Sequence, residues 1–238
     1  MNPASILLRA SFCFCFCLAA AATSARAEDA PAAPAPKTPA PADVSIDVRK
    51  GDQWVYENRD GLTGELRATS SVVVAQLGEN EIDTRLRTKN VANGLESATL
   101  MVFDRQWRKL SDTNWTNTPY QENWGVPAAI KVGANWENTY AAARANPPGG
   151  GIFKLQAKVV GWERVSLPAG AAYDAFRIEY LETALTDGKE TPYLTRTVVW
   201  FAPQANRYVK RETESFFKGK KYDGALEVLT GYVRHDVE

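Results

Sequence analysis

Ile82-Asp83-Thr84-Arg85-Leu86-Arg87-Thr88-Lys89 carries a charged residue at every second position. Side chains alternate across a β-strand with period two, so the segment reads as a strand with one wet face and one face turned inward. Comparable patterns recur at Gln53 to Asn58, Glu65 to Gln76, Ser97 to Phe103, Phe153 to Trp162, Ala175 to Ala184, Tyr193 to Phe201, Arg207 to Phe217 and Leu226 to Arg234. Their β-branched and aromatic content agrees with that period. Asp60-Gly61, Gly78-Glu79-Asn80, Asn93-Gly94, Pro168-Ala169-Gly170, Asp187-Gly188 and Lys218-Gly219-Lys220 supply tight turns between them. Strands joined this way predict an all-β antiparallel meander with minor helix. Thr139 to Ala145 is helix-permissive, stopped by Asn146-Pro147-Pro148, and Gly149-Gly150-Gly151 reads as a turn.

The N-terminus reads as an export signal. Arg9 precedes the apolar run Ala10 to Ala22, which is followed by Ala25-Arg26-Ala27. This is the layout of a cleavable signal peptide over residues 1–27, and the apolar run is short of the roughly 20 residues of a spanning helix. Location in the periplasm of a Gram-negative cell follows as an expectation, with no transmembrane segment after cleavage. Residues 28–43 are rich in Pro and Ala and lack large apolar side chains, so they are expected to form a disordered tail. Residues 44–238 then form a single β-rich domain.

Composition excludes several kinds of chemistry. The only cysteines, Cys13, Cys15 and Cys17, lie inside the signal segment, which leaves the mature chain without disulfides, thiolate nucleophiles or Cys-based metal sites. The only histidine is His235, near a terminus where chains fray, so no triad or multi-His zinc site can be assembled. No phosphate-loop or dinucleotide motif occurs, and no cofactor or metal is expected. Lys+Arg and Asp+Glu both number 28, so no single-sign field draws the chain to nucleic acid. A pair of carboxylates could still hydrolyse a glycosidic bond, and Glu122 and Glu137 in Trp-rich surroundings are the candidates, although ordinary surface charges read the same way.

Val48-Arg49-Lys50-Gly51-Asp52-Gln53-Trp54 and Ile130-Lys131-Val132-Gly133-Ala134-Asn135-Trp136 share an apolar-basic-x-Gly-x-x-Trp pattern. Two pseudo-repeats, 44–128 and 129–238, would account for it, and so would chance. This opening, the stretch from Gly161 to Gly170 running into Ala175-Phe176-Arg177-Ile178, and Trp200-Phe201-Ala202-Pro203 followed by Val209-Lys210, resemble in their order uncharacterised secreted bacterial proteins. Those are domains of unknown function with folds similar to the lipoprotein carriers LolA and LolB. The resemblance implies a strongly curved antiparallel sheet, an incomplete barrel whose concave face could hold an apolar ligand, and no catalytic residues.

Trp54, Trp136, Trp162 and Trp200 fall in or beside strands and are assigned to the core. Trp115, Tyr120 and Trp124 lie in the polar stretch from Asp112 to Gly125 and are the candidate binding residues; a lid that merely covers a barrel end is the equal alternative. Three functions stay open. The first is a non-enzymatic periplasmic protein holding a lipid or other apolar or amphipathic molecule. The second is a structural domain that binds an envelope protein through a sheet edge, and the third is a carbohydrate-binding module or acid-pair glycosidase.

Overall fold

In the computed structural model, residues 34–118 and 130–235 are described. The expected signal peptide over residues 1–27, and Tyr120, Glu122 and Trp124, lie outside these residues.

The strands are β1 (Gln53–Asp60), β2 (Leu66–Leu77), β3 (Glu81–Asn90), β4 (Glu96–Asp104), β5 (Lys109–Asp112), β6 (Trp115–Thr118), β7 (Asn135–Arg144), β8 (Gly149–Ser166), β9 (Ala172–Thr186), β10 (Lys189–Ala202), β11 (Arg207–Phe217) and β12 (Lys220–Val233). Each pairs antiparallel with its sequence neighbour. The only helix among the described residues is a 3-10 turn at Pro203–Ala205.

The barrel is closed, not the incomplete barrel that the sequence leads one to expect. β1 pairs with β12 from Gln53↔Val233 to Asp60↔Ala225, so the first and last strands consume the edges that a half-barrel would leave free. Most of the carboxylates and cations of β3 and of the β9–β11 wall face outward. Asp83, Arg85, Arg87 and Lys89 line the outer face of β3, while Ile82 and Thr84 are buried on the other face. Arg196 bridges Glu179 and Glu214 across β9, β10 and β11. A lipid-facing wall would instead present an apolar band.

The two Gly-Trp segments build the same corner. Gly51 and Gly133 adopt φ of +91° and +89°, which L side chains rarely reach. Gly51 N–H donates to Val74 O (2.9 Å) and Val74 N–H returns to Asp52 O (3.0 Å). Gly133 N–H donates to Val159 O (2.9 Å) and Val159 N–H returns to Ala134 O (2.8 Å). Each corner feeds the chain into the strand beside the one it has just bonded. His235, expected at a fraying end, is tied to the first corner by its N–H to Asp52 Oδ1 (2.8 Å).

Two local readings change. The helix-permissive stretch lies in β7, where Ala141, Ala142 and Ala143 pair with Ile152, Gly151 and Gly150. The three glycines open strand β8 and are not a turn. A Cβ on Gly150 would sit 2.3 Å from Ala142 O, so the close approach of β7 and β8 requires a glycine there. Intrinsic helix propensity of the alanines loses to two flanking ladders.

Within the Pro/Ala-rich stretch, residues 37 and 38 dock on β8 and β9. Asp174 accepts the Lys37 N–H (3.0 Å), the Thr38 N–H (2.9 Å) and the Thr38 hydroxyl (2.8 Å), and pairs with Arg164 (2.9 Å). Trp162 Nε1 donates to Thr38 O (2.7 Å). Desolvation pushes the Asp174 carboxyl up, but the Thr38 hydroxyl, the two backbone N–H groups and Arg164 outweigh it and hold its pKa at about 2. A carboxylate depressed in the folded state contributes stability above its unfolded pKa of roughly 3.9 and loses it as pH falls toward the folded value. Protection of the amides of residues 37 and 38, relative to their intrinsic exchange rates, should therefore hold from neutral pH to about 4 and be lost as pH falls to about 2. Asp174→Asn should lose that protection already at pH 7, and full protection in that variant would contradict the anchoring role.

Candidate functional site

The barrel's ends differ. The hairpin turns at 61–65, 91–95, 187–188 and 218–219 share one end, and the opposite end is filled by side chains from β1, the β4–β5 turn and the β10–β11 turn. Trp54, fully buried, donates from Nε1 to Ala205 O (2.7 Å), and Trp107 donates from Nε1 to Asn206 O (2.7 Å). The two indoles meet edge to face at 5.7 Å, Tyr232 stacks on Trp54 at 5.5 Å, and Phe103 meets Trp107 at 5.3 Å. Asn206, in the left-handed region at φ +52°, clamps the segment before β1 through its side chain: Asp47 N–H donates to Oδ1 (3.1 Å) and Nδ2 donates to Asp47 O (3.0 Å). This floor is held by hydrogen bonds as well as by packing.

Above the floor lies a cavity of about 320 Å³, walled by Val72, Leu86, Met101, Val199 and Phe201 and floored by Trp107 and Arg207. A second cavity of about 290 Å³ lies toward the hairpin end, with Leu155, Thr195, Thr197 and Thr213 in its wall. Tyr180, Val199 and Arg211 line both, so the two form one column along the lumen. Volumes near 300 Å³ are at the small end of those that enclose small-molecule ligands.

The column crosses a polar band. Arg211 pairs with Glu227 (2.6 Å), which also accepts the Tyr208 hydroxyl (2.9 Å), and the Tyr56 hydroxyl donates to Tyr208 O (2.9 Å). Desolvation raises the Glu227 pKa, but Arg211 and the Tyr208 hydroxyl outweigh it and hold the carboxyl below its ordinary value, so it is an anion at neutral pH. Burial pushes the Tyr180 phenol well above its usual range, which keeps it neutral. Farther along, the Tyr140 hydroxyl donates to Glu182 (2.6 Å).

Of the residues singled out from the sequence, Trp115 opens β6, half-buried, with the Arg144 guanidinium 5.4 Å over its ring. It stands at the hairpin end and lines neither cavity. Tyr120 and Trp124 lie outside the described residues. Glu137 stands on the outer wall, where Gln156 Nε2 donates to it (2.7 Å) and Lys154 lies at 3.4 Å. The Gln156 contact leads in holding its carboxyl below the usual value, against a smaller desolvation effect and with help from Lys154, which suits a surface acceptor and not a proton donor. Trp54 and Trp200 are buried, whereas Trp136 and Trp162 are half-buried. The lumen residues Arg207, Arg211 and Glu227 are not among the residues that the sequence reading points to. A signal existed: Lys210-Arg211-Glu212 puts three charges in a row on a strand, so at least one must face inward.

No family model and no curated protein matches the sequence. Solved structures do match. A candidate lipoprotein from Parabacteroides distasonis aligns over 80% of this chain and 99% of its own, at 16% identity and a TM-score of 0.50. A candidate exported protein with a YmcC-like fold from Bacteroides fragilis aligns over 81% of this chain and all of its own, at 14% identity and a TM-score of 0.51. The likeness is one of fold. It spans nearly the whole of both neighbours and 80–81% of this chain, while similarity to LolA and LolB is not among these findings.

Proposed function

We propose that this chain is a non-enzymatic protein of the bacterial envelope, exported to the periplasm, whose barrel lumen holds an amphipathic small molecule such as a lipid. The observation that carries the reading is the cavity column itself: apolar walls from β2, β3, β4 and β10, a polar band, and a floor sealed by Trp54 and Trp107. A core that needed only to fold would fill that volume, because interiors pack to near-crystalline density. The likeness in fold to candidate exported and lipoprotein chains agrees with an envelope location.

The edge-binding alternative loses its edges through the β1–β12 closure. One observation still favours a partner-binding role for another surface. Leu62, Val91, Leu95, Tyr193, Phe217 and Tyr222 are exposed at or next to the hairpin turns, an apolar rim of the kind that marks interaction sites.

The lumen reading is tested with the neutral fluorescent probe N-phenyl-1-naphthylamine. It should bind saturably, be displaced by dodecanol, and bind at least about tenfold more weakly to Val199→Phe, which fills the junction of the two cavities. Circular dichroism of the variant should stay β-type. Absence of saturable binding, or binding indifferent to Val199→Phe, would overturn the proposal.

A further inference from the structure

The floor of the cavity holds a charge that feels Glu227 at a distance but, among the described residues, makes no ion pair in contact. Arg207 opens β11 directly after the 3-10 turn and is 95% buried, with 5% of its surface accessible. Its Nε and Nη1 have no hydrogen-bond partner. Its guanidinium lies 4.3 Å from the Trp107 ring centroid, 5.2 Å from Tyr208, and 5.5 Å from both Trp54 and Phe103. These ring faces offset part of the lost hydration. They supply no counter-charge.

The neighbouring ions are already engaged. Glu227 is held by Arg211 and the Tyr208 hydroxyl, and Lys109, which lines the same cavity, is paired with Asp112 (2.8 Å). The side chains that bound this cavity thus include three cations, Lys109, Arg207 and Arg211, and one carboxylate, Glu227. Arg211 keeps 40% of its side-chain surface accessible, and the cavities are the space it lines. An unpaired cation in a low-dielectric enclosure attracts an anion far more strongly than the same cation in water.

Building on the lumen reading above, we infer that the lumen is selective for amphiphiles with an anionic head, a carboxylate or a phosphate, received at the Arg207 end of the cavity with the tail running along Val72, Leu86, Met101 and Val199. The geometry orders the ligand: charge toward the sealed floor, apolar tail toward the hairpin end. Arg207 then acts as the specificity residue, and Arg211, shared by both cavities, is the second cation that the head meets.

A purely structural arginine makes different predictions. If its ring contacts simply hold the floor together, Arg207→Met should lower the melting temperature. If the fold bears an uncompensated charge for the sake of a ligand, an apolar residue of similar length should leave the melting temperature unchanged or raise it, since buried charges are often replaced by apolar residues without loss.

The decisive experiment compares dodecanoate, dodecyl phosphate, dodecanol and dodecyltrimethylammonium, all with one tail length and all at monomeric concentrations, as competitors of the neutral probe. The wild-type protein should bind both anions at least tenfold tighter than dodecanol and the ammonium compound weakest. Whichever anion is tighter identifies the source as a fatty acid or a phosphate-headed lipid. In Arg207→Met the preference for the anions over dodecanol should fall to within threefold, and Arg207→Lys should keep part of the preference. Equal binding of anions and dodecanol by the wild type overturns the anion inference and leaves the lumen reading standing. Binding of none of the four overturns the lumen reading itself. The wild-type comparison decides the matter even where Arg207→Met fails to fold.

Discussion

Trp54→Ala should destabilise the barrel by about 3 to 5 kcal/mol, the range for truncating a fully buried aromatic. No surface of Trp54 is accessible, and three things depend on it: the hydrogen bond to Ala205 O, the stack with Tyr232 and the edge contact with Trp107. Its removal opens a void under the Arg207 guanidinium and leaves the Ala205 carbonyl unpaired at once. Urea denaturation followed by circular dichroism gives the figure, and a loss below about 1 kcal/mol would show that the floor repacks freely. Trp136→Ala is the internal comparison. Trp136 occupies the corresponding place after Gly133 but is half-buried, so its loss should be smaller.

Asn206→Val should cost on the order of 2 to 5 kcal/mol, through two separate effects. Asn206 sits at φ +52°, where a β-branched side chain is strained and asparagine is tolerated. Its side chain also satisfies both the N–H and the C=O of Asp47 in the manner of a strand partner, and valine would leave them to find water. Asn206→Gly separates the two: it keeps the backbone and loses the clamp, so its cost should lie below that of valine. Equal losses for the two variants would mean that the strained backbone contributes nothing.

Much of the fold was legible because the wall is thin. A barrel wall is one sheet with one wet and one enclosed face, and such strands advertise themselves by alternation, as the segment from Ile82 to Lys89 does. Every strand read from that pattern is present, although β8, β10 and β12 run four to six residues beyond the expected bounds. What escaped was β5, β6 and β7. Two of these are four residues long, too short for a period to show, and β7 carries the alanine run of Tyr140-Ala141-Ala142-Ala143, which says helix locally and is overruled by pairing with the glycines of β8. Closure escaped for a different reason. Whether the first strand meets the last depends on strand number, tilt and stagger summed around the sheet, and no local pattern in Gln53 to Asp60 or Lys220 to Val233 records it.

The site was less legible than the fold. Loop aromatics drew attention to Trp115, yet the charged cavity is built from strand residues whose inward direction becomes visible only once a bulge is placed: β10 and β11 shift register between Trp200 and Phe201, where Phe201 faces Tyr208 and Trp200 faces Lys210. That shift brings Tyr208 and Arg211 onto the cavity side together. Arg207 drew no attention because, in the sequence, a basic residue at the start of a strand reads as a surface charge.

The most direct test uses a probe the sequence supplies. The chain has two methionines, Met1 and Met101, and Met101 lines the lumen cavity. With methyl-labelled methionine, the Met101 resonance should shift saturably as dodecanoate is added, with the same midpoint as displacement of the neutral probe. A Met101 resonance that stays in place while dodecanoate binding is recorded by the probe would place the ligand outside the barrel and contradict the lumen as the binding site.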